Sequence, residues 1–96
     1  MKSDDLISIL RTFNQTSAAL YDIKRIGIFG SFARGEANED SDVDTVFETD
    51  SPNLFRTARM KADLERLFSR HVDVVRFRAN MNPRLKSRIA REAKYV

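Results

Sequence analysis

The reading of the chain turns on one stretch, Gly27-Ile28-Phe29-Gly30-Ser31-Phe32-Ala33-Arg34-Gly35-Glu36-Ala37-Asn38-Glu39-Asp40-Ser41-Asp42-Val43-Asp44. An apolar run, Ile26 to Phe29, halts at Gly30-Ser31. Ten residues later two carboxylates one residue apart, Asp42 and Asp44, lead into a second run from Val43 to Phe47. Gly30 has no β-carbon, so a phosphate can approach its backbone closely. The amide and hydroxyl of Ser31, at the start of a helical turn, are suitable phosphate donors. Side chains at i and i+2 of a strand share a face, with α-carbons about 6.5–7 Å apart. Asp42 and Asp44 can therefore converge on one divalent ion, or bridge two ions roughly 3.5–4 Å apart. Mg²⁺ prefers such hard oxygen ligands and completes its shell with substrate phosphates.

Working outward, residues 23–29 read as a strand ending in Ile-Gly-Ile-Phe. Gly27 inside it either admits a neighbouring backbone or simply weakens the strand. Ser31 to Arg34 reads as a short helical turn closed by Gly35, Asn38 to Ser41 as a polar turn, and Asp42 to Glu48 as a second strand. Upstream, residues 4–19 carry Leu6, Ile9, Leu10 and Phe13 at helical spacing, with Ser3 as cap and Asp4 and Asp5 at the positive end of the helix dipole. Downstream, Ser51-Pro52-Asn53 is a break that opens a helix over 53–69, with Pro52 at its entrance. Met60, Leu64, Leu67 and Phe68 share its inner face, and Arg59 can pair with Asp63 outside.

Val72 to Phe77 is a third apolar strand interrupted by Asp73. An ionised carboxylate among valines is costly to bury without a partner. If the third strand lies beside the second, Asp73 faces the same site as a third ligand or a base, which accounts for all three aspartates at once. Asn82 then caps a last helix with Pro83 at its first position. Leu85, Ile89, Ala93 and Val96 form its apolar stripe; Arg84, Arg88 and Arg91 form a basic one, read as a partner or solvent surface. The order α-β-(short α)-β-α-β-α predicts a mixed α/β (α+β) domain over residues 1–96, a small sheet of three or more strands covered by helices.

Each half of the opening stretch alone also fits an ordinary turn or a solvated strand edge. The joint occurrence of strand, Gly-Ser, fixed gap, Asp-x-Asp and a third strand aspartate is far rarer by chance. Gly30-Ser31, ten residues, Asp42-Val43-Asp44 and then Asp73 resembles the signature of the DNA polymerase beta-like nucleotidyltransferases. The version Gly-Ser-Phe-Ala-Arg-Gly-Glu, with an ending Asn82-Pro83-Arg84 through Ile89, Arg91, Glu92 and Tyr95-Val96, is most similar to the minimal nucleotidyltransferases of prokaryotes. That resemblance implies the palm-like nucleotidyltransferase fold and transfer of AMP from ATP to a hydroxyl. It implies that Gly30 and Ser31 hold nucleotide phosphates and that Asp42, Asp44 and Asp73 bind Mg²⁺. Arg34 can contact phosphate, or pair with Glu36 or Glu39. The resemblance further implies an antitoxin whose partner is a HEPN ribonuclease toxin and whose acceptor is a toxin tyrosine. Two positions depart from the usual pattern: Thr45 where an aliphatic residue is common, and Phe32 where arginine is often found.

Composition excludes several classes. The chain has 96 residues, 42% hydrophobic and 32% charged, with no cysteine, so thiolate chemistry and disulfides are out. No apolar run approaches membrane-spanning length, and the expectation is a cytoplasmic protein without a membrane partner. The net charge of +3 is asymmetric. Residues 1–49 carry five Lys/Arg against nine Asp/Glu, and residues 50–96 carry twelve against five. The basic half suits an anionic partner. RNA is an alternative acceptor, as is a small molecule, but no base-stacking aromatic cluster supports RNA. A further alternative is neutralisation by stoichiometric binding without catalysis. His71, the single histidine, stands five positions after Arg66, as in HEPN ribonuclease pairs, but three strands exclude an all-helical domain; it reads as a helix-end residue. Tyr21 and Tyr95 read as packing.

Overall fold

In the computed structural model, which describes residues 2–96, the chain runs α1 (Ser3–Tyr21), β1 (Arg25–Phe29), α2 (Gly30–Arg34), β2 (Val43–Glu48), α3 (Leu54–Phe68), β3 (Val72–Arg76), α4 (Pro83–Glu92) and β4 (Lys94–Tyr95). The four strands make one sheet in the order β3-β2-β1-β4. β1 lies antiparallel to β2 and to β4, whereas β2 and β3 are parallel. Parallel neighbours need a long crossover, and the 15 residues of α3 supply it.

Period-two alternation sorts the strand side chains onto two faces. Ile26, Ile28, Val43, Phe47 and Val72 meet Leu6, Leu10 and Phe13 of α1 and Met60, Leu64 and Phe68 of α3 in the main core. Each such side chain contributes about 1.5–3 kcal/mol when fully buried. Phe29 and Val46, on the opposite face, pack with Met81 and with Ile89 of α4 in a smaller cluster. That second face is only partly covered, and the open part carries the carboxylates.

The helix starts differ in detail from the sequence reading. Ser3 is the first residue of α1, with Lys2 at the cap position, and the Lys2 amide donates to the Asp5 carboxylate at 2.9 Å. Asn53 caps α3 by accepting from the Arg56 amide at 3.0 Å, so Pro52 lies ahead of the helix. Asn82 and Pro83 hold the expected cap and first position of α4. Asp63 pairs with Arg66 instead of Arg59 and also accepts from the Tyr21 hydroxyl. Tyr21 is buried and stacks on Phe13 with ring centroids 5.9 Å apart.

The larger difference is at the end of the chain. The expected helical stripe through Ala93 and Val96 breaks after Glu92, because Ala93 is extended at φ −65° and ψ 134°. Lys94 and Tyr95 then pair with Ile28 and Gly27 as an added strand, and the Val96 amide donates to the Ile26 carbonyl at 3.0 Å. Gly27 makes this approach practicable, since a β-carbon there would fall 2.5 Å from the Lys94 carbonyl oxygen. The two readings of that glycine are thereby resolved in favour of close approach. Arg25 covers the Tyr95 ring, its guanidinium carbon 3.9 Å from the centroid.

Candidate active site

The site begins where β1 gives way to α2. Gly30 has φ +76°, and a β-carbon on it would collide with the Asp44 carboxylate. Two independent constraints therefore require glycine here, left-handed backbone and contact with an acid. The contact follows from register, because Phe29 stands opposite Asp44 in the β1–β2 ladder. Gly30 and Ser31 thus lie directly beside the Asp-x-Asp segment.

The second element is a grid across two parallel strands. Val43 pairs with Val72 and Asp44 with Asp73, and the Val43 amide donates to the His71 carbonyl at 3.0 Å. Alternation then puts Asp42 and Asp44 of the second strand segment, and His71 and Asp73 of the third, on the α4 face. Asp42 and Asp73 keep half of their side-chain surface exposed. The cost of a carboxylate among valines is avoided by leaving it at the open part of the face. His71 Nδ1 lies 3.3 Å from Asp42 Oδ2 and 3.9 Å from Asp73 Oδ1. Burial pushes the Asp44 carboxyl above the usual aspartate range, and the neighbouring Asp73 charge adds to this. Arg88 opposes the shift, Asp42 adds to it and Arg34 opposes it. Crowded carboxylates of this kind are relieved by a cation between them.

A basic rim borders the acids. Arg34 pairs with Glu36 at 3.0 Å and with Glu92 at 3.0 Å; Glu39, the alternative partner, is not involved. Glu92 also accepts from the Gly30 amide at 3.0 Å and lies 3.8 Å from Arg88. A cavity of about 540 Å³ is bounded by Phe29, Asp44, Lys61, Asp73, Leu85 and Arg88. Of the residues named from the sequence, Asp44 and Asp73 border this cavity, Gly30 lies against Asp44, Asp42 faces His71, Arg34 pairs with Glu92, and Ser31 follows Gly30 in α2.

Four neighbours escape the sequence reading: Lys61, His71, Arg88 and Glu92. Spacing groups Arg88 with Arg84 and Arg91 in a basic stripe, yet it borders the cavity. His71 is no helix-end residue, since α3 stops at Phe68 and the imidazole faces two aspartates. Its signal is its spacing, two positions before Asp73 and so on the same strand face. The signal for Glu92 is an acid in the last turn of a basic helix, where the dipole disfavours a negative charge.

A mixed sheet offers carboxylates on adjacent strands beside a Gly-Ser turn, an arrangement suited to phosphoryl transfer. Residues 7–96 match the family model described as "Nucleotidyltransferase domain", and the chain belongs to that family. It is similar to the protein adenylyltransferase MntA of Thermococcus cleftensis, 32% identical over 94 residues that span 97% of this chain and 94% of the relative. A solved structure ascribed to a minimal nucleotidyltransferase is 36% identical, with a TM-score of 0.78 over 98% of this chain and 95% of the other. The complex of a tri-AMPylated Shewanella oneidensis HEPN toxin with an MNT antitoxin shares the fold at 17% identity, with a TM-score of 0.61 over 97% of this chain and 66% of the matched one. Among the described residues no helix is long and apolar enough to cross a membrane.

Proposed function

We propose that this nucleotidyltransferase moves AMP from ATP to a tyrosine hydroxyl of a HEPN-type toxin and thereby acts as its antitoxin. The observation that carries the reading is the grid: Asp42, Asp44 and Asp73 share one sheet face, and Asp44 touches the Gly30-Ser31 turn. The relatives named above suggest a protein acceptor by analogy, and the tyrosine comes from the family resemblance.

The chemistry follows from where charge develops. The acceptor oxygen forms a bond to the α-phosphorus, the α–β bridging P–O bond breaks, pyrophosphate leaves and the hydroxyl gives up its proton. Mg²⁺ bound by Asp42, Asp44 and Asp73 would supply electrostatic stabilisation of the phosphoryl oxygens. Gly30 and Ser31 hold the terminal phosphates close to the backbone, and Arg34 and Arg88 offset their charge at the rim. For Arg34 this means sharing its guanidinium between phosphate and Glu92. Asp73, half-exposed at the open end of the grid, would accept the hydroxyl proton or orient the oxygen.

A second reading, neutralisation by binding alone, draws on Leu54 and Phe55, which are 87% and 88% exposed at the start of α3. Such side chains suit a partner surface. One experiment separates the two. Labelled ATP, Mg²⁺ and the product of the adjacent gene are incubated with the wild type and with Asp42→Ala/Asp44→Ala. Label on the partner from the wild type alone supports transfer. Equal neutralisation by both proteins with no label supports binding alone, and label on RNA or a small molecule would replace the proposed acceptor.

A further inference from the structure

We infer that His71 is a ligand of the same metal centre and makes it a mixed nitrogen–oxygen site, one that favours a transition-metal dication such as Mn²⁺ or Co²⁺ over Mg²⁺. The inference rests on the reading of the aspartates as metal ligands. Asp42, His71 and Asp73 each offer one ligand atom, and these atoms lie within 4.8 Å of one another. An ion about 2–2.2 Å from each donor needs them no more than about 4.4 Å apart, so side-chain shifts of a few tenths of an ångström would gather them on one ion. Asp44 stands on the Gly30 side of the grid.

The arrangement is imposed by the backbone. His71 occupies the position beside Asp42 that the parallel register dictates, as Asp73 does beside Asp44. Arg70 fastens the two lead-in segments together by donating to the Ser41 carbonyl at 3.0 Å. Nε2 faces Glu65 of α3 at 4.0 Å, and Glu65 itself accepts from the Val72 amide at 3.2 Å. Nδ1 is the nitrogen on the side of Asp42 and Asp73. A carboxylate hydrogen-bonded to the outer nitrogen is the usual companion of a metal-binding histidine, and Glu65 lies on that side of the ring. Imidazole is a good ligand for first-row transition ions, whereas Mg²⁺ selects oxygen donors and water. The competing account is that His71 only forms ion pairs with its acidic neighbours.

The test is dication binding with a non-hydrolysable ATP analogue present, followed by calorimetry for Mg²⁺ and by electron paramagnetic resonance for Mn²⁺. We expect nitrogen-14 coupling in the Mn²⁺ spectrum of the wild type. We expect His71→Ala to lose that coupling and to weaken Mn²⁺ by roughly tenfold or more, with Mg²⁺ changed less than about twofold. No nitrogen coupling in the wild type, or equal effects on both ions, would leave His71 as an ion-pair partner and overturn the inference alone. Binding of neither ion by the wild type, or undiminished Mn²⁺ binding by Asp42→Asn/Asp44→Asn, would overturn the carboxylate reading with it. The wild-type spectrum needs no variant, so a folding defect cannot mask the answer.

Discussion

Glu92 reaches from the last turn of α4 to the amide of Gly30, 62 positions earlier, and accepts its hydrogen bond at 3.0 Å while also pairing with Arg34 at 3.0 Å. Its side chain is only 13% exposed, so this one carboxylate ties the Gly-Ser turn to the helix behind it. Removing it leaves a part-buried N–H without an acceptor and two guanidinium groups without their shared partner. Glu92→Ala should cost about 1–3 kcal/mol of stability in urea unfolding. Glu92→Gln keeps an acceptor for the Gly30 amide and should recover a good part of that loss. Equal behaviour of the two variants would mean the hydrogen bond to Gly30 contributes nothing.

Gly30→Ala tests the turn itself. The left-handed backbone alone costs a non-glycine residue about 1–2 kcal/mol, and its new β-carbon meets the Asp44 carboxylate. The turn or Asp44 has to shift. We expect a folded protein with transfer activity reduced by more than about tenfold, in the range typical of a displaced catalytic group. Wild-type activity in a folded Gly30→Ala protein would remove this turn from the site.

Asp44 gives the protein a pH dependence of known sign. Its folded-state carboxyl is raised above the unfolded value, chiefly by burial and then by Asp73. The native state therefore binds the proton more tightly than the unfolded chain does. Stability in the absence of dication falls as pH rises from the ordinary aspartate range through the raised value, and the penalty is complete above it. Asp44→Asn removes that penalty and should raise Tm at neutral pH while leaving Tm at low pH nearly unchanged. A drop in Tm at neutral pH would contradict the direction.

Thr45 is fully buried, and its hydroxyl has no hydrogen-bond partner among the described residues. Replacing that hydroxyl with a methyl of similar volume removes an uncompensated desolvation cost. Thr45→Val should stabilise the protein by about 1 kcal/mol, read as a higher urea midpoint at unchanged slope. A lower midpoint would show that the hydroxyl finds a partner, such as an internal water.

Residues that act through local pattern are legible in the amino-acid order alone. Apolar runs bounded by Gly30 and by Asn38 to Ser41 mark β1 and β2, and the i, i+2 rule puts Asp42 and Asp44 on one face. Asp73 is readable as a misfit among valines, conditional on β3 lying beside β2. What stays hidden depends on pairings between distant segments. Ala93 and Val96 continue a helical period, so nothing local marks the switch to β4; the cause is the bare backbone of Gly27, found only by docking the two segments. His71 and Glu92 carry ordinary local explanations until register and the α4 packing bring them to the site. Arg88 shares a helical stripe with Arg84 and Arg91, and of the three it is the one that borders the cavity.

The sheet's parity reaches further than packing. Val43, Thr45 and Phe47 are held toward α1 and α3, as is Val72, and the acids occupy the intervening positions. Slipping either strand by one residue would push its valines into water and its acids into oil together. The oily side of β2 and β3 is thus what aims the reactive side. Errors there should blunt the chemistry even where every acidic residue is intact, so Val43 and Val72 govern the site without ever touching what binds in it.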